Sequence, residues 1–148
     1  MMNEISNLGK VSDLFIVDVE ALAEYFETLS GEAERIKNNT NLTINNLPEI
    51  TVYLEKWAED LFTIEILLER KLVRYRYHDR TAWSYIVKIY KQIEYILNTI
   101  KKMKELYSQT SPYNFDPATI YRYLDEIYNA AQEGIRIVKR AVRDNAFE

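Results

Sequence analysis

Along four long stretches of this chain, apolar residues recur at steps of three and four, the spacing that keeps side chains on one stripe of an α-helix. Between Ser12 and Asn39 the stripe runs Phe15, Val19, Leu22, Phe26, Leu29, Ala33 and Ile36. A second runs Ile50, Leu54, Trp57, Leu61, Ile64 and Leu68, shifts register at Lys71 and continues through Leu72 and Tyr75. The third is Ala82, Ile86, Ile89, Ile93, Ile96, Ile100, Met103 and Tyr107. The fourth is Ile120, Leu124, Ile127, Ala131, Gly134, Val138 and Ala141. Repeats this long leave room for few elements. With only three Gly and three Pro in 148 residues, the chain also lacks the frequent turns that a sandwich or barrel needs.

Helix ends carry their own signals. Ser12 is a good N-cap with Asp13 beside the positive end of the helix dipole, and Pro48 suits a first turn, where a missing N–H costs nothing. Asp79 or Thr81 caps the third helix, and Asp116-Pro117 joins a side-chain acceptor to a ring already fixed at helical φ. The expected helices cover residues 12–39, 48–77, 80–108 and 116–144, in a single domain over 1–148. Residues 1–11 form a flexible or packed arm. Helices of 25–30 residues, roughly 40 Å long at 1.5 Å per residue and joined by short links, point to an all-α, up-down-up-down antiparallel four-helix bundle.

The net charge of −4 hides a division. Residues 1–66 hold thirteen Asp or Glu against four Lys or Arg, whereas residues 67–148 hold ten against fifteen. Arg70, Lys71, Arg74, Arg76 and Arg80 gather around the second turn, and Arg136, Lys139, Arg140 and Arg143 lie in the last turns of the fourth helix. In an up-down bundle these nine residues share one pole, offering contacts to nucleic acid or to an acidic partner. The plainer reading is that cations near helix C-termini complement the dipole at about 0.3–1 kcal/mol each. Tyr75, Tyr77, Trp83 and Tyr85 interleave with the cluster and would let rings stack beside phosphate-binding guanidinium groups.

A second apolar stripe on the second helix, made of Val52, Phe62, Ile66, Val73 and Tyr77, faces away from the first. Either the amino-terminal segment, with Ile5, Leu8 and Val11, folds over it, or it meets another copy or another helical protein, as contiguous exposed apolar surface commonly does. The expectation is self-association.

Catalytic constellations are missing. No Cys is present, which removes thiolate chemistry, disulfides and cysteine-ligated metals, and the single His78 cannot furnish the two histidines of a bundle di-iron site. The Arg-to-His spacing of the HEPN ribonucleases is not met by Arg70 or Arg74, and Gly9, Gly31 and Gly134 are too isolated for a phosphate loop. His78 reads as a solvated or capping residue, and the pairs Glu59-Asp60 and Asp125-Glu126 read as solvated helix faces. No enzyme, cofactor or metal is expected. The start of the chain lacks the basic residues and apolar core of a signal peptide, and no apolar run approaches the roughly 18 residues of a membrane span. Asn38 and Asn41 match the glycosylation acceptor pattern in a loop expected to be exposed.

Ile and Tyr together make 28 residues, twelve of them Tyr, in a Cys-free chain rich in Lys and Glu. In composition, size and helix pattern it resembles the four-helix-bundle coat proteins of tailed spindle-shaped viruses of hyperthermophilic archaea and their paralogue that inhibits host RNA polymerase. No motif carries over residue by residue. The resemblance implies a non-enzymatic viral coat-like subunit located in a virion or the host cytoplasm. The alternative it implies is a module that engages nucleic acid, or inhibits RNA polymerase, through the basic pole.

Overall fold

The computed structural model describes residues 19–38, 42–75 and 80–146, and the side chains of residues 19, 20, 74 and 75 lie outside the description. It is all-helical, with helices α1 (Val19–Asn38), α2 (Leu47–Tyr75), α3 (Arg80–Ser108) and α4 (Pro117–Arg143), and a short 3₁₀ turn (Ile44–Asn46) before α2. Among the described residues there is no strand. Residues 1–18, with the Ser12 cap and the amino-terminal arm, and residues 76–79, with Arg76, Tyr77, His78 and Asp79, lie outside the described residues, as does Asn41. Asn38 is exposed at the end of α1.

Over the described side chains each apolar stripe faces the shared core, with Ile36, Leu72 and Tyr107 half-buried at its edges. Leu22, Phe26 and Leu29 of α1 meet Leu54, Trp57 and Leu61 of α2, the isoleucine ladder of α3 and Ile120, Leu124 and Ile127 of α4 in one contiguous cluster. This packing suits a four-helix bundle. Burial on this scale drives folding at about 25 cal/mol per Å² of apolar surface removed from water.

The helices do not approach one another equally. Backbones come close in the pairs α1–α4, α4–α3 and α3–α2, while those of α1 and α2 barely approach. Pairs across α1 and α4 run in opposite sequence order: Phe26 lies over Gly134, the Gln132 amide donates to Ser30 Oγ at 3.1 Å, and Lys37 pairs with Asp125. A Cβ on Gly134 would stand 2.8 Å from the Phe26 ring. Glycine is required there because a buried aromatic occupies the space a side chain would fill.

The ends of α4 are fixed by the residues that flank it. Asp116 Oδ1 accepts from the Ala118 N–H at 3.1 Å and Asp116 Oδ2 accepts from the Thr119 hydroxyl at 2.7 Å, ahead of Pro117 in the first turn. The hydroxyl bond to Thr119 holds the Asp116 carboxyl below its ordinary range. At the other end Asn145 takes φ 52°, its N–H donates to the Val142 carbonyl, and the Ala146 N–H reaches back to Ala141 at 2.9 Å. This is a Schellman ending with Asn in the left-handed position and Ala146 buried against the core.

Candidate interaction surfaces

α2 carries apolar side chains on two faces. Val52 is 67% exposed, Phe62 58% and Val73 74%, and Ile66 is also exposed. Tyr77 lies outside the described residues. At 100° per residue, Phe62, Ile66 and Val73 fall within about 40° of each other, and Glu55, Glu59 and Glu69 share that face. The outward face of α2 is therefore an apolar row set among carboxylates.

The nine basic residues are distributed differently from the expectation. Arg70, Arg80, Arg136, Lys139, Arg140 and Arg143 are exposed. Arg76 and the side chain of Arg74 lie outside the description. Lys71 does not belong to the surface: it is buried, at 2% exposure. The physical reason is its place on α2, where Trp57, Asp60, Ile64, Leu67 and Lys71 form a second inward row at steps of three and four. Aliphatic carbons of a lysine stem can occupy such a position.

Tyr85 is also corrected from a stacking surface to a packed residue. It is buried, and its hydroxyl donates to the Asp144 carboxylate, which ties the first turns of α3 to the end of α4. That bond is the main reason the Asp144 carboxyl sits below its ordinary range, with Arg143 and Arg140 adding to the effect. Lys88 stands 5.5 Å from the centre of the Tyr85 ring. Arg143 meets Asp144 at 3.4 Å. Arg136 is drawn to Glu133 at 2.8 Å, and Lys139 lines a groove with Glu24 and Glu27. Arg140 and Arg143 gather near Tyr85, while Arg136 and Lys139 sit among carboxylates further down α4.

Charge is divided across the bundle by helix pair. Among exposed charged side chains described on α1 and α2, Glu24, Glu27, Glu34, Glu49, Glu55, Glu59 and Glu69 outnumber Arg35 and Arg70. On α3 the exposed Arg80, Lys88, Lys91, Lys101, Lys102 and Lys104 oppose Glu94 and Glu105, and on α4 Arg122, Arg136, Lys139, Arg140 and Arg143 add to the basic side. Sequence halves of opposite charge thus become helix pairs of opposite charge. Tyr95, 47% exposed in the middle of α3, donates its hydroxyl to Glu126 at 2.9 Å beside a shallow groove between α3 and α4.

The seam between α1 and α2 holds a polar cluster that sequence reading missed. Asp60, read as part of a solvated face, is 1% exposed, and Tyr25 faces it from α1. The two influence each other electrostatically, yet neither the carboxylate oxygens nor the phenol makes a hydrogen bond of acceptable geometry. Desolvation pushes the Asp60 carboxyl up, against the pull of Lys56 and Tyr25, and also pushes the Tyr25 phenol up. One turn away, Trp57 Nε1 donates to Glu32 at 2.9 Å and Lys56 Nζ reaches the same carboxylate at 3.4 Å. The second carboxylate pair read as solvated, Asp125-Glu126, is only half-exposed and is engaged by Lys37 and Tyr95.

Among the described residues no group of His, Cys, Asp or Glu is placed to hold a metal ion, and no helix is long and apolar enough to cross a membrane. No protein-family model, curated protein or solved structure matches the chain.

Proposed function

We propose that the chain is a non-enzymatic assembly protein, a coat-like subunit of a virion or its host cytoplasm, that self-associates through the outward face of α2 and through acidic-to-basic contacts. The observation that carries this reading is the exposed row of Val52, Phe62, Ile66 and Val73 on a helix whose other side is already buried. A bundle member needs one apolar face, and exposed apolar side chains gathered on a second one, here Phe62, Ile66 and Val73 among carboxylates, favour an interface. Up-down-up-down connectivity belongs to the same reading. It is supported by the opposite sequence order of the pairs Phe26–Gly134 and Lys37–Asp125, and of Tyr85–Asp144 and Tyr95–Glu126. Among the described residues the outward face of α2 carries exposed side chains from Val52 to Val73.

Sedimentation of the full chain over a range of concentrations tests the reading. Wild type associates, and Phe62→Glu or Ile66→Glu weakens association by tenfold or more while far-ultraviolet circular dichroism stays helical, since a charge in an apolar contact costs more than about 1.4 kcal/mol. A strict monomer at high concentration and moderate salt, or unchanged assembly in both variants, removes the proposal.

The second reading is a module that engages nucleic acid or its machinery, such as an RNA polymerase, through the exposed Lys88, Arg140 and Arg143 near Tyr85, with Arg80 exposed at the start of α3. Binding that uses several phosphate contacts falls steeply between about 50 and 200 mM salt. A flat salt response, or no binding at low salt, discards it.

A further inference from the structure

We infer that the face receiving α2 is the outer row of α3 on a second copy. The inference rests on the reading that the chain self-associates through α2, and it names the surface on the other side of that contact.

The two rows match in length and order and are opposite in sign. On α2 the exposed residues Glu55, Glu59, Phe62, Ile66 and Glu69 follow one another at steps of four, three, four and three. On α3 the exposed residues Lys88, Lys91, Tyr95, Asn98 and Lys102 follow at steps of three, four, three and four. Both rows run for roughly 20 Å at 1.5 Å per residue. Each places charges at its two ends and an apolar or aromatic group in its middle, carboxylates along the helix on either side of Phe62 and Ile66, ammonium groups on either side of Tyr95, whose hydroxyl is held by Glu126 of α4. Laid together in either direction, anions meet cations at both ends while Phe62 and Ile66 reach Tyr95.

Pairing α2 with α2 lacks this match. In a parallel, in-register pair every glutamate faces itself. In an antiparallel pair centred between Phe62 and Ile66, Glu59 falls opposite Glu69, and like charges across an interface oppose association. If the two faces of one copy engage different neighbours, the contact is heterologous and repetition builds a ring or an open filament; if they engage the same neighbour it closes a two-fold dimer, and the sedimentation coefficient separates the two.

Charge reversal read by sedimentation velocity of the full chain tests this. The two-site variants Glu55→Lys with Glu59→Lys, and Lys91→Glu with Lys102→Glu, change exposed positions whose side chains make no ion pair or hydrogen bond among the described residues. Each variant alone is expected to associate at least about tenfold more weakly than wild type. An equimolar mixture of the two recovers association, because the reversed α2 of one meets the reversed α3 of the other. Restoration also shows that both variants are folded, and Lys102→Glu alone gives the same direction with a smaller change. If the α3 variant assembles like wild type, or if the mixture stays dissociated, the α3 assignment is overturned while the α2 reading survives. If Phe62→Glu leaves assembly untouched, the α2 reading itself falls.

Discussion

α1 is held on two sides by opposite means. Against α4 it lies close, with Phe26 packed directly over Gly134 and cross-links at Ser30–Gln132 and Lys37–Asp125. Against α2 the backbones stand apart and larger side chains fill the gap, Tyr25 and Glu32 from α1 meeting Asp60, Lys56 and Trp57. Glycine lets one seam close by shape, whereas the other closes through polar groups that must be satisfied once they leave water. One of those groups, the Asp60 carboxylate, is not satisfied by a hydrogen bond. The first seam is therefore sensitive to volume and the second to protonation and hydrogen bonding.

Substitutions separate the two. The largest effect is expected from Phe26→Ala, which empties the centre of the tight seam and costs about 3–5 kcal/mol by denaturant unfolding. A loss below about 1 kcal/mol would show that the seam collapses around the void. Trp57→Phe comes next: it keeps most of the apolar volume and removes the indole N–H from Glu32, for a cost of about 2 kcal/mol set by a hydrogen bond to a charged acceptor. Gly134→Ala follows. Alanine favours a helix interior by about 1 kcal/mol over glycine, but the new methyl meets the Phe26 ring at 2.8 Å, and overpacking of about 1–3 kcal/mol outweighs the gain. A stabilised Gly134→Ala protein would refute the close fit.

The smallest effect carries the opposite sign. Asp60→Asn removes a charge that burial disfavours, and we expect a gain of about 1 kcal/mol at neutral pH. Burial raises the folded-state pKa of Asp60 above the ordinary value of 3.8. Its contribution is thus most favourable below the unfolded pKa and is lost as pH rises through the folded one. The difference in unfolding free energy between wild type and Asp60→Asn should shrink as pH falls from neutral towards 4. A difference independent of pH would mean that the carboxylate is solvated.

How much of this was legible in the sequence depends on what each residue announces. The isoleucine ladder of α3 has no competing period, and Ala82 through Met103 are buried in the order expected. Asp116-Pro117 declared the start of α4 because the cap and the fixed φ act locally. The outward row of α2 was legible for the same reason, as hydrophobic side chains left over after one stripe had been assigned. Asp60 and Lys71 were not. They occupy the second inward row of α2 with Trp57, Ile64 and Leu67, so the periodicity was present but their charge argued for solvent. The row on α3 around Tyr95 carries no hydrophobic signal, and lysines at steps of three and four look like any wet helix face until an opposing row gives them meaning.

The division of charge between helix pairs has a consequence for how the protein meets a charged boundary. A net charge of −4 spread evenly would be repelled by any anionic surface. Here the carboxylates of α1 and α2 and the ammonium and guanidinium groups of α3 and α4 form a dipole across the short axis of the bundle. In a field gradient such a body turns before it retreats, lying on its side with the basic helices against an anionic plane or the acidic helices against a cationic one. Within roughly one Debye length, about 8 Å at physiological salt, orientation decides the sign of the force.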